Sequence, residues 1–517
     1  MAVLERGGDA VDAAVAAATV LGVVAPAGSG LGGGGFALVW RARERRVTTF
    51  DFRETAPAAF DAAAFERRAQ SSAEEKTKTR GALVGVPGEV LGLATLHARW
   101  GKRTLAEDLE GAVKAAREGF PVGRYLAEAL RGDPFRVAAH PTLGPLFFEG
   151  GAVRARSAVV TRPALAKTLE RIGAEGARAF YEGPIAERIV AAARLHGSAL
   201  TVDDLRARAV EERAPLVRTF GSRAVYTMPS PSAGGLMALE ALTVLGADAT
   251  SSLAKLGAGS SAELHALAET MRGALADRLV FVGDPSTDMH AAARLEGALD
   301  RARLEKRAAT WAPNRAHAAM DDAARERGTS HLVVVDGEGN VVSLTTTING
   351  PFGARIETED GVLLNDELDD FTTRAEAERF LGSEPSPNRP RALARPVSSM
   401  MPTLVLENGE PLLALGGSGG RRIATACTQV LLRALVRGDD PAEAIAAPRV
   451  HVGAGTELLL EREVPRDVEN ALRARGNEVA ADTMKAAVQA VRITRTNGER
   501  TLHAAADPRK YGLAIAR

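Results

Sequence analysis

The sequence predicts an α+β fold in which β-sheets are covered by layers of helices. Helical periodicity dominates residues 88–320, whereas strand patterns concentrate after residue 329 and in one hairpin-like segment at 35–51. Helices and strands are thus segregated along the chain instead of alternating as βαβ units, which favours helical layers packed on sheets. The 517 residues, 45% of them hydrophobic, are sufficient for a large core.

Composition argues against two kinds of partner and excludes one kind of cross-link. The 65 basic and 65 acidic residues give a formal net charge of zero, so no excess positive field is available for nucleic acid or an anionic membrane. The only cysteine is Cys427, and an intramolecular disulfide therefore cannot form. Cys427 lies in an apolar helical pattern without a charged neighbour, which is typical of a buried, inert thiol.

The first long apolar run, residues 13–25, predicts a buried alanine-rich helix that begins near Asp9 and ends at Pro26. It is too short to span a bilayer, and no membrane span is expected. Acidic residues outnumber basic ones just before it, which is the wrong balance for a secretory signal. No export signal is visible, so the expected location is either cytoplasmic or that of a chain whose leader is not part of this sequence.

Two glycine-rich strings differ in what surrounds them. Residues 28–33 match the dinucleotide pattern G-x-G-x-x-G, but a helix precedes them and a strand follows, so we expect a tight chain reversal. Residues 416–420 follow a strand and precede a helix, which is the order found at anion sites. No P-loop lysine follows them, and an oxyanion hole therefore fits better than a triphosphate site. A plain strand–helix turn is the alternative.

An acidic block at 365–371 places four carboxylates in five positions. Such a block suits a divalent metal or a substrate ammonium group, and a solvated acidic turn is the alternative. The spacing lacks the central glycine and the final glutamate of an EF-hand. None of the nine histidines falls in a metal-ligand pattern, and no metal is predicted.

Thr329 follows Gly328 at the start of a predicted strand, directly after the polar segment 309–328. A threonine in this position could be a concealed amino terminus that is released when the chain cuts itself, so that its hydroxyl and its amine would serve as nucleophile and base. His331 lies two residues further along the same strand face and could hold the cleavage site or simply pack there. Ser398 and Ser399, close to Arg395, could bind a carboxylate or form an ordinary polar loop.

Together these segments resemble the gamma-glutamyltranspeptidase (glutathione hydrolase) family of the N-terminal nucleophile hydrolases. The resemblance covers nearly the whole chain, and cephalosporin acylases share much of the same pattern. The matching stretches, in family order, are Gly7–Ala14, Leu31–Phe36, Asp51–Glu54, Gly85–Gly88, Gly328–His331, Leu364–Phe371, Arg395–Met400, Gly416–Arg421 and Asp507–Arg509.

The resemblance implies a four-layer αββα sandwich and a precursor that cuts itself between Gly328 and Thr329. The large fragment, 1–328, and the small fragment, 329–517, would remain together as a heterodimer. Thr329 would be the nucleophile, and its freed α-amino group would be the base. No cofactor is implied.

The resemblance also assigns roles to nine further residues by position. Arg53, Ser398 and Ser399 would hold the α-carboxylate of the γ-glutamyl donor. Asn349, Glu367 and Asp370 would hold its α-ammonium group, Gly419 and Gly420 would supply oxyanion N–H groups, and Thr347 would support the nucleophile.

The expected activity is that of a self-processing gamma-glutamyltransferase and glutathione hydrolase. It would transfer a γ-glutamyl group from glutathione or a related compound to water or to the amine of an amino acid or peptide. The alternatives are a glutaryl (cephalosporin) acylase of the same fold and an unprocessed protein that only binds γ-glutamyl compounds. Residues 372–394 are expected to form a lid, and because this segment has no tyrosine, the balance of hydrolysis and transfer stays open.

Overall fold

The computed structural model describes residues 1–132, 137–319, 328–461, 463–482 and 486–516. The chain divides into two compact units. The first unit comprises 1–213, 327–371 and 390–396, and the second comprises 214–326, 372–389 and 397–517. Each unit contains segments that precede Gly328 in the sequence and segments that follow it.

Helices and strands alternate in blocks along the described residues. The α-helices are α1 (Ala2–Glu5), α2 (Ala10–Val24), α3 (Ala62–Ala69), α4 (Ala73–Lys78), α5 (Glu89–Trp100), α6 (Leu105–Glu118), α7 (Arg124–Gly132), α8 (Leu143–Phe147), α9 (Pro163–Glu175), α10 (Arg178–Tyr181), α11 (Gly183–Arg194), α12 (Val202–Arg206), α13 (Gly234–Leu245), α14 (Ser261–Phe281), α15 (Ala291–Ala298), α16 (Arg301–Ala309), α17 (Arg374–Leu381), α18 (Arg422–Leu432), α19 (Pro441–Ala446) and α20 (Arg466–Ala474).

The strands are β1 (Gly34–Arg41), β2 (Arg46–Asp51), β3 (Phe120–Pro121), β4 (Phe148–Glu149), β5 (Ala152–Val153), β6 (Val159–Val160), β7 (Glu211–Arg213), β8 (Leu216–Phe220), β9 (Arg223–Thr227), β10 (Ser330–Val335), β11 (Val341–Thr347), β12 (Thr403–Glu407), β13 (Glu410–Ser418), β14 (Val450–Val452), β15 (Glu457–Leu460), β16 (Glu478–Ala481), β17 (Ala487–Thr496) and β18 (Glu499–Ala506).

The main sheet of the first unit has five antiparallel strands in the order β10-β11-β1-β2-β7. Strand β11 pairs with β1 from Gly34 opposite Thr347 to Trp40 opposite Val341. Helices α2 and α5 cover this sheet through a shared core of buried aliphatic and aromatic side chains. Strand β10 pairs with the other edge of β11, with Ser330 opposite Thr346, which places Thr329 at the start of β10 beside Thr347 at the end of β11.

Helix α2 begins where the sequence predicts, because Asp9 caps its N-terminus. The Asp9 carboxylate accepts hydrogen bonds from the N–H groups of Val11 and Asp12, and the Asp12 side chain accepts one from the Asp9 N–H, which forms a capping box. Ten of its fifteen residues are buried, so the helix belongs to the core, as its apolar run indicates.

The glycine string at 28–33 is the tight reversal that its surroundings predict. A Cβ atom on Gly33 would lie 2.0 Å from the carbonyl oxygen of Thr347, and one on Gly32 would lie 2.1 Å from that of Leu363. Only glycine allows the backbone to approach this closely. The string thereby brings the start of β1 against the end of β11.

The main sheet of the second unit has six antiparallel strands in the order β18-β17-β13-β12-β9-β8. Helix α18 packs on β13 and β17 of this sheet, and α13 packs against α18 and α14. A second, three-stranded sheet contains β14, β15 and β16. Each unit therefore pairs an antiparallel sheet with its own helices.

Some elements differ from the expectation. The predicted strand at 361–364 is reduced to isolated bridges at Leu363 and Leu364. Strands β7, β8 and β9 lie in the stretch that looked mainly helical. Residues 320–327 of the polar segment before Gly328 lie outside the described residues. The predicted lid segment contains helix α17.

Within the described ranges, no helix has both the length and the hydropathy required to cross a membrane.

Candidate active site

The predicted cleavage junction lies at the start of β10, where two threonine hydroxyls meet one carbonyl oxygen. The Thr329 hydroxyl hydrogen-bonds to the carbonyl oxygen of Gly328. Thr347 donates to the same oxygen from 2.8 Å, and the two hydroxyl oxygens are 3.4 Å apart. Thr329 and Thr347 are 6% and 2% exposed. A carbonyl that accepts two hydrogen bonds in a buried position is polarised, which makes its carbon more electrophilic.

Hydrogen bonds between side chains and the backbone connect this junction to the acidic turn at 366–370. The Thr347 hydroxyl accepts the N–H of Asn349 at 2.9 Å. The Asn349 side chain, on a backbone with φ of +70°, donates to the Asp366 carbonyl oxygen at 3.1 Å. Gly350 N–H donates to the Asp366 carboxylate at 2.7 Å. The structure therefore brings Thr347, Asn349 and the acidic turn together, as the resemblance implies.

Arg53 lies at the centre of the acidic turn and is 1% exposed. Its guanidinium group forms ion pairs with Glu367 and Asp370, at 2.8 Å for the Asp370 contact, and donates to the Pro396 carbonyl oxygen at 3.1 Å. Burial alone would lower the pKa of Arg53, but the carboxylates of Glu367 and Asp370 raise it, so the group stays charged. The Asp370 side chain is 13% exposed and Glu367 is 1% exposed, so Asp370 is the more accessible carboxylate.

The acidic residues around Arg53 do not all ionise at neutral pH. Burial raises the pKa of Glu54 to about 8, although Arg53 opposes the shift, and burial also raises the pKa of Glu89 to about 8. The pKa of Glu367 is likewise raised well above its ordinary value by burial, again against the effect of Arg53. At neutral pH Glu54 and Glu89 therefore largely retain their protons, which limits the repulsion between the carboxyl groups of the cluster.

Asn365 is a residue of this site to which the sequence assigned no role. Its side-chain amide donates to the carbonyl oxygens of Gly32 and Gly85, and its side-chain oxygen accepts the N–H groups of Gly85 and Glu367. These four bonds hold the acidic turn against the glycine reversal. The only sequence feature that could have indicated this role is that Asn365 is an uncharged amide at the first position of an otherwise acidic block.

His331 packs within the sheet. Its Nδ1 atom lies 2.8 Å from the Thr345 hydroxyl, and the residue is 7% exposed. Burial lowers the pKa of His331 to about 3, which keeps the ring neutral. The structure records no hydrogen bond from His331 to Thr329 among the described residues, so the packing interpretation of this histidine is the one supported.

The second unit contains the glycine turn between β13 and α18. Gly419 and Gly420 have φ angles of +134° and +62°, a backbone region that favours glycine. Their carbonyl oxygens accept the N–H groups of Arg422 and Ile423 at 3.3 and 3.1 Å. Among the described residues, no backbone acceptor is recorded for the N–H groups of the two glycines themselves. The turn thus presents two N–H donors, as an oxyanion hole requires.

Ser398 and Ser399 also belong to the second unit. Ser398 is 3% exposed, and its hydroxyl accepts the N–H of Met400 at 3.1 Å. Its backbone N–H donates to Pro231, and its carbonyl oxygen accepts the N–H of Ala233 at 2.8 Å. The segment is therefore a hydrogen-bonded loop with Ser398 buried in it, and its role in carboxylate binding stays a prediction.

One group of side chains among the described residues has metal-like spacing. Asp12, His97 and Asp108 each offer a ligand atom within 4.8 Å of the others. However, the Asp12 carboxylate already accepts the backbone N–H groups of Asp9 and Lys102, and Asp108 accepts Arg103 Nε at 3.0 Å. Both carboxylates thus already accept hydrogen bonds from protein donors, and we regard the group as structural.

Comparison with protein families and sequences gives matches along the whole chain. The family model described as Gamma-glutamyltranspeptidase matches residues 1–517. Glutathione hydrolase 2 of Arabidopsis thaliana is 33% identical, over 99% of this chain and 90% of the relative. The glutathione hydrolase proenzyme of Escherichia coli strain K12 is 32% identical, over 98% of this chain and 87% of the relative.

Comparison with solved structures gives the fold. A cephalosporin acylase from Bacillus halodurans superposes with a TM-score of 0.85 at 24% identity, covering 98% of this chain and 91% of the acylase. At this identity the likeness concerns the fold alone. Gamma-glutamyltranspeptidase from Helicobacter pylori superposes with a TM-score of 0.54 at 32% identity, covering 60% of this chain and 88% of the Helicobacter pylori chain. The predicted α+β class of the N-terminal nucleophile hydrolase type is confirmed.

Proposed function

Because this chain belongs to the gamma-glutamyltranspeptidase family, we propose that it is a self-processing enzyme that hydrolyses glutathione and related γ-glutamyl compounds and transfers their γ-glutamyl group. The observation that carries the proposal is the contact of the Thr329 hydroxyl with the Gly328 carbonyl, which Thr347 polarises from 2.8 Å. A nucleophile beside a polarised carbonyl of its own chain is the arrangement that self-cleavage needs.

Self-cleavage proceeds by an N-to-O acyl shift. The Thr329 oxygen attacks the Gly328 carbonyl carbon, while Thr347 donates to the oxygen on which negative charge develops. The Gly328–Thr329 peptide bond then breaks, the Thr329 nitrogen takes the hydroxyl proton, and an ester joins the two residues. Water hydrolyses this ester, which leaves a carboxylate on Gly328 and a free amine on Thr329.

The free amine makes Thr329 its own general base. The reference pKa of an α-amino group is about 7.7–8.0, so near neutral pH a substantial fraction can accept the proton of the hydroxyl. The hydroxyl oxygen attacks the γ-carbonyl carbon of the donor, the amide bond breaks, and the Thr329 α-amino group passes the proton to the nitrogen of the leaving amine. The γ-glutamyl ester is then cleaved by water or by the amine of an amino acid or peptide. These steps use no cofactor.

Recognition of the donor requires both charges of its glutamyl head to be paired. We assign the α-carboxylate to Arg53, Ser398 and Ser399, and the α-ammonium group to Asn349, Glu367 and Asp370. The ion pairs of Arg53 with Glu367 and Asp370 support this assignment, because they already place positive and negative groups side by side in a buried position. Gly419 and Gly420 would donate to the oxyanion of each tetrahedral intermediate.

The fragments 1–328 and 329–517 are proposed to remain associated as a heterodimer. Strand β1 lies before the junction and β11 lies after it, and the two pair over their whole length in the centre of one sheet. Strands β9 and β12 form the same kind of pair in the second unit. Cutting one peptide bond removes none of these backbone hydrogen bonds.

The test is a comparison of Thr329→Ala with Thr329→Ser, assayed by electrophoresis under denaturing conditions and by release of glutamate from glutathione. We expect Thr329→Ala to stay uncut and inactive, whereas Thr329→Ser, which retains a hydroxyl, should be cut and active at a reduced rate. Thr310→Ala, at an exposed threonine, is the matched control and should behave as wild type. Maturation and turnover by Thr329→Ala would refute the assignment of the nucleophile.

A further inference from the structure

A buried charge pair in the second unit lies directly behind the glycine turn. Arg422, the first residue of α18, forms an ion pair with Asp482, which follows β16. The two side chains are 3% and 1% exposed. A buried ion pair is costly to form and tolerates little change in geometry, so it fixes the relative position of the two elements that carry it.

A histidine and a threonine extend this pair. His451, on β14, lies with Nδ1 2.6 Å from the Thr425 hydroxyl of α18 and with Nε2 3.8 Å from the Asp482 carboxylate. Burial, with Arg422, Arg449 and Arg509 nearby, holds the pKa of His451 well below its ordinary value, so the ring is neutral. A neutral ring next to a carboxylate is best oriented with N–H on Nε2, and Nδ1 then accepts the Thr425 hydroxyl.

The network acts on the place where α18 begins. The N–H groups of Arg422 and Ile423 bond to the carbonyl oxygens of Gly419 and Gly420. The Gly419 carbonyl and the Gly420 N–H belong to one peptide group, so a shift of the first turn of α18 would rotate that peptide and redirect the Gly420 N–H. Glycines with positive φ angles offer little resistance to such a rotation, so the restraint has to come from the helix.

We propose that Asp482 and His451 are positioning residues, which orient the Gly420 N–H group, one of the two proposed oxyanion donors, by fixing the start of α18 through Arg422 and Thr425. This inference rests on the proposed function, in which the two donors stabilise the transition state. Asp482 and His451 themselves touch no reacting atom in this account. Their effect is on charge that appears only in the tetrahedral state.

The test uses Asp482→Asn, which keeps the size of the side chain and removes its charge. We expect kcat for glutathione hydrolysis to fall about ten- to a hundredfold with little change in KM, because a small misplacement of oxyanion donors affects the transition state. Affinity for a boronic-acid analogue of the γ-glutamyl donor, which forms a tetrahedral adduct, should fall by a similar factor. Affinity for glutamate, which forms no such adduct, should be unchanged.

A matched control separates positioning from general loss of stability. Asp507→Asn weakens another buried ion pair of the same unit, that of Arg449 with Asp507, and the recorded hydrogen bonds of the Asp507 carboxylate go to Arg449, Val488 and Arg509, none of which lies on α18. We expect this variant to lose thermal stability without losing preference for the boronate over glutamate. Should Asp482→Asn fail to fold, Thr425→Val and Thr425→Ser provide the milder comparison, in which only the valine variant should lose boronate affinity.

The inference is overturned if the Asp482 or Thr425 variants bind the boronate as wild type does, or if they lose boronate and glutamate affinity equally. It is also overturned if Asp507→Asn shows the same selective loss. Wild-type protein that releases no glutamate from glutathione would instead refute the proposed function. The two failures are therefore distinguishable in the same set of assays.

Discussion

Thr347 has two roles at the junction, since its hydroxyl donates to Gly328 and accepts from Asn349. We predict that Thr347→Ala slows self-cleavage by about a hundredfold or more, because loss of one oxyanion donor typically costs that much. The rate is measured by following conversion of freshly made precursor into two chains on denaturing gels. Thr347→Ser keeps the hydroxyl and should cleave at close to the wild-type rate.

Thr345→Ala is the control for this experiment. Thr345 lies on the same strand, and its hydroxyl contacts His331 rather than Gly328. We expect this variant to cleave normally even if it is less stable. Equal slowing in both alanine variants would mean that the hydroxyl at 347 supports the strand and not the reaction.

A substitution at Asp370 distinguishes γ-glutamyl hydrolysis from the alternative glutaryl acylase activity. It is the more exposed of the carboxylates that pair with Arg53, and a glutaryl substrate lacks the α-ammonium group that it would bind. A hydrogen bond to a charged group contributes about 1.5–3 kcal/mol, which corresponds to a change of roughly ten- to hundred-and-fortyfold. We predict that Asp370→Asn lowers kcat/KM by this factor for a γ-glutamyl anilide and far less for a glutaryl anilide. Equal losses would contradict recognition of the ammonium group by Asp370.

At the residue scale, the sequence predicted which groups meet but not their protonation. Gly328, Thr329, Thr347 and Asn349 are brought together as expected. The raised pKa values of Glu54 and Glu89 depend on burial from all sides, which no local pattern reveals. The role assignments of the individual site residues stay predictions.

At the scale of elements, α2 and α6 share a buried pair of carboxyl groups, Asp12 and Asp108. Burial and the nearby Asp12 raise the pKa of Asp108 to about 7, whereas an unfolded aspartate has a pKa of about 3.9. Folding therefore favours the protonated form. The raised pKa of Asp108 therefore contributes fully to the free energy of unfolding below about pH 4, and this contribution is lost as the pH rises through about 7.

We predict that Asp108→Asn, which cannot ionise, reduces the fall in the free energy of unfolding between pH 4.5 and pH 7.5. Urea unfolding of the Thr329→Ala precursor, measured by circular dichroism at both pH values, gives this difference. Glu110→Gln, an exposed residue of the same helix, is the control and should follow the parent. An unchanged pH dependence in Asp108→Asn would show that Asp108 is ionised throughout the range.

The elements that the sequence predicted well are those with strong local signals. The Asp9 cap, the hairpin at 35–51 and the strand–glycine–helix order at 410–432 all appear in the structure. Strands β8 and β9 were missed because they lie among long helical patterns and are defined by pairing with the distant β12. Residues 361–364 form bridges only, since their partners lie in irregular segments.

At the scale of the whole molecule, both units are built from chain on each side of the proposed cut. This interleaving predicts that the two fragments remain together under native conditions after cleavage and separate only on denaturation. Size-exclusion chromatography followed by denaturing electrophoresis of the single native peak would test it. Elution of the fragments in separate native peaks would contradict the proposed heterodimer.

The central claim is that a backbone break turns Thr329 into an amino-terminal nucleophile. The most direct measurement is N-terminal sequencing and denaturing mass spectrometry of protein that is actively releasing glutamate from glutathione. We predict two polypeptides, 1–328 and 329–517, with Thr329 as the first residue of the second. A single chain with an intact Gly328–Thr329 bond in fully active protein would contradict the account.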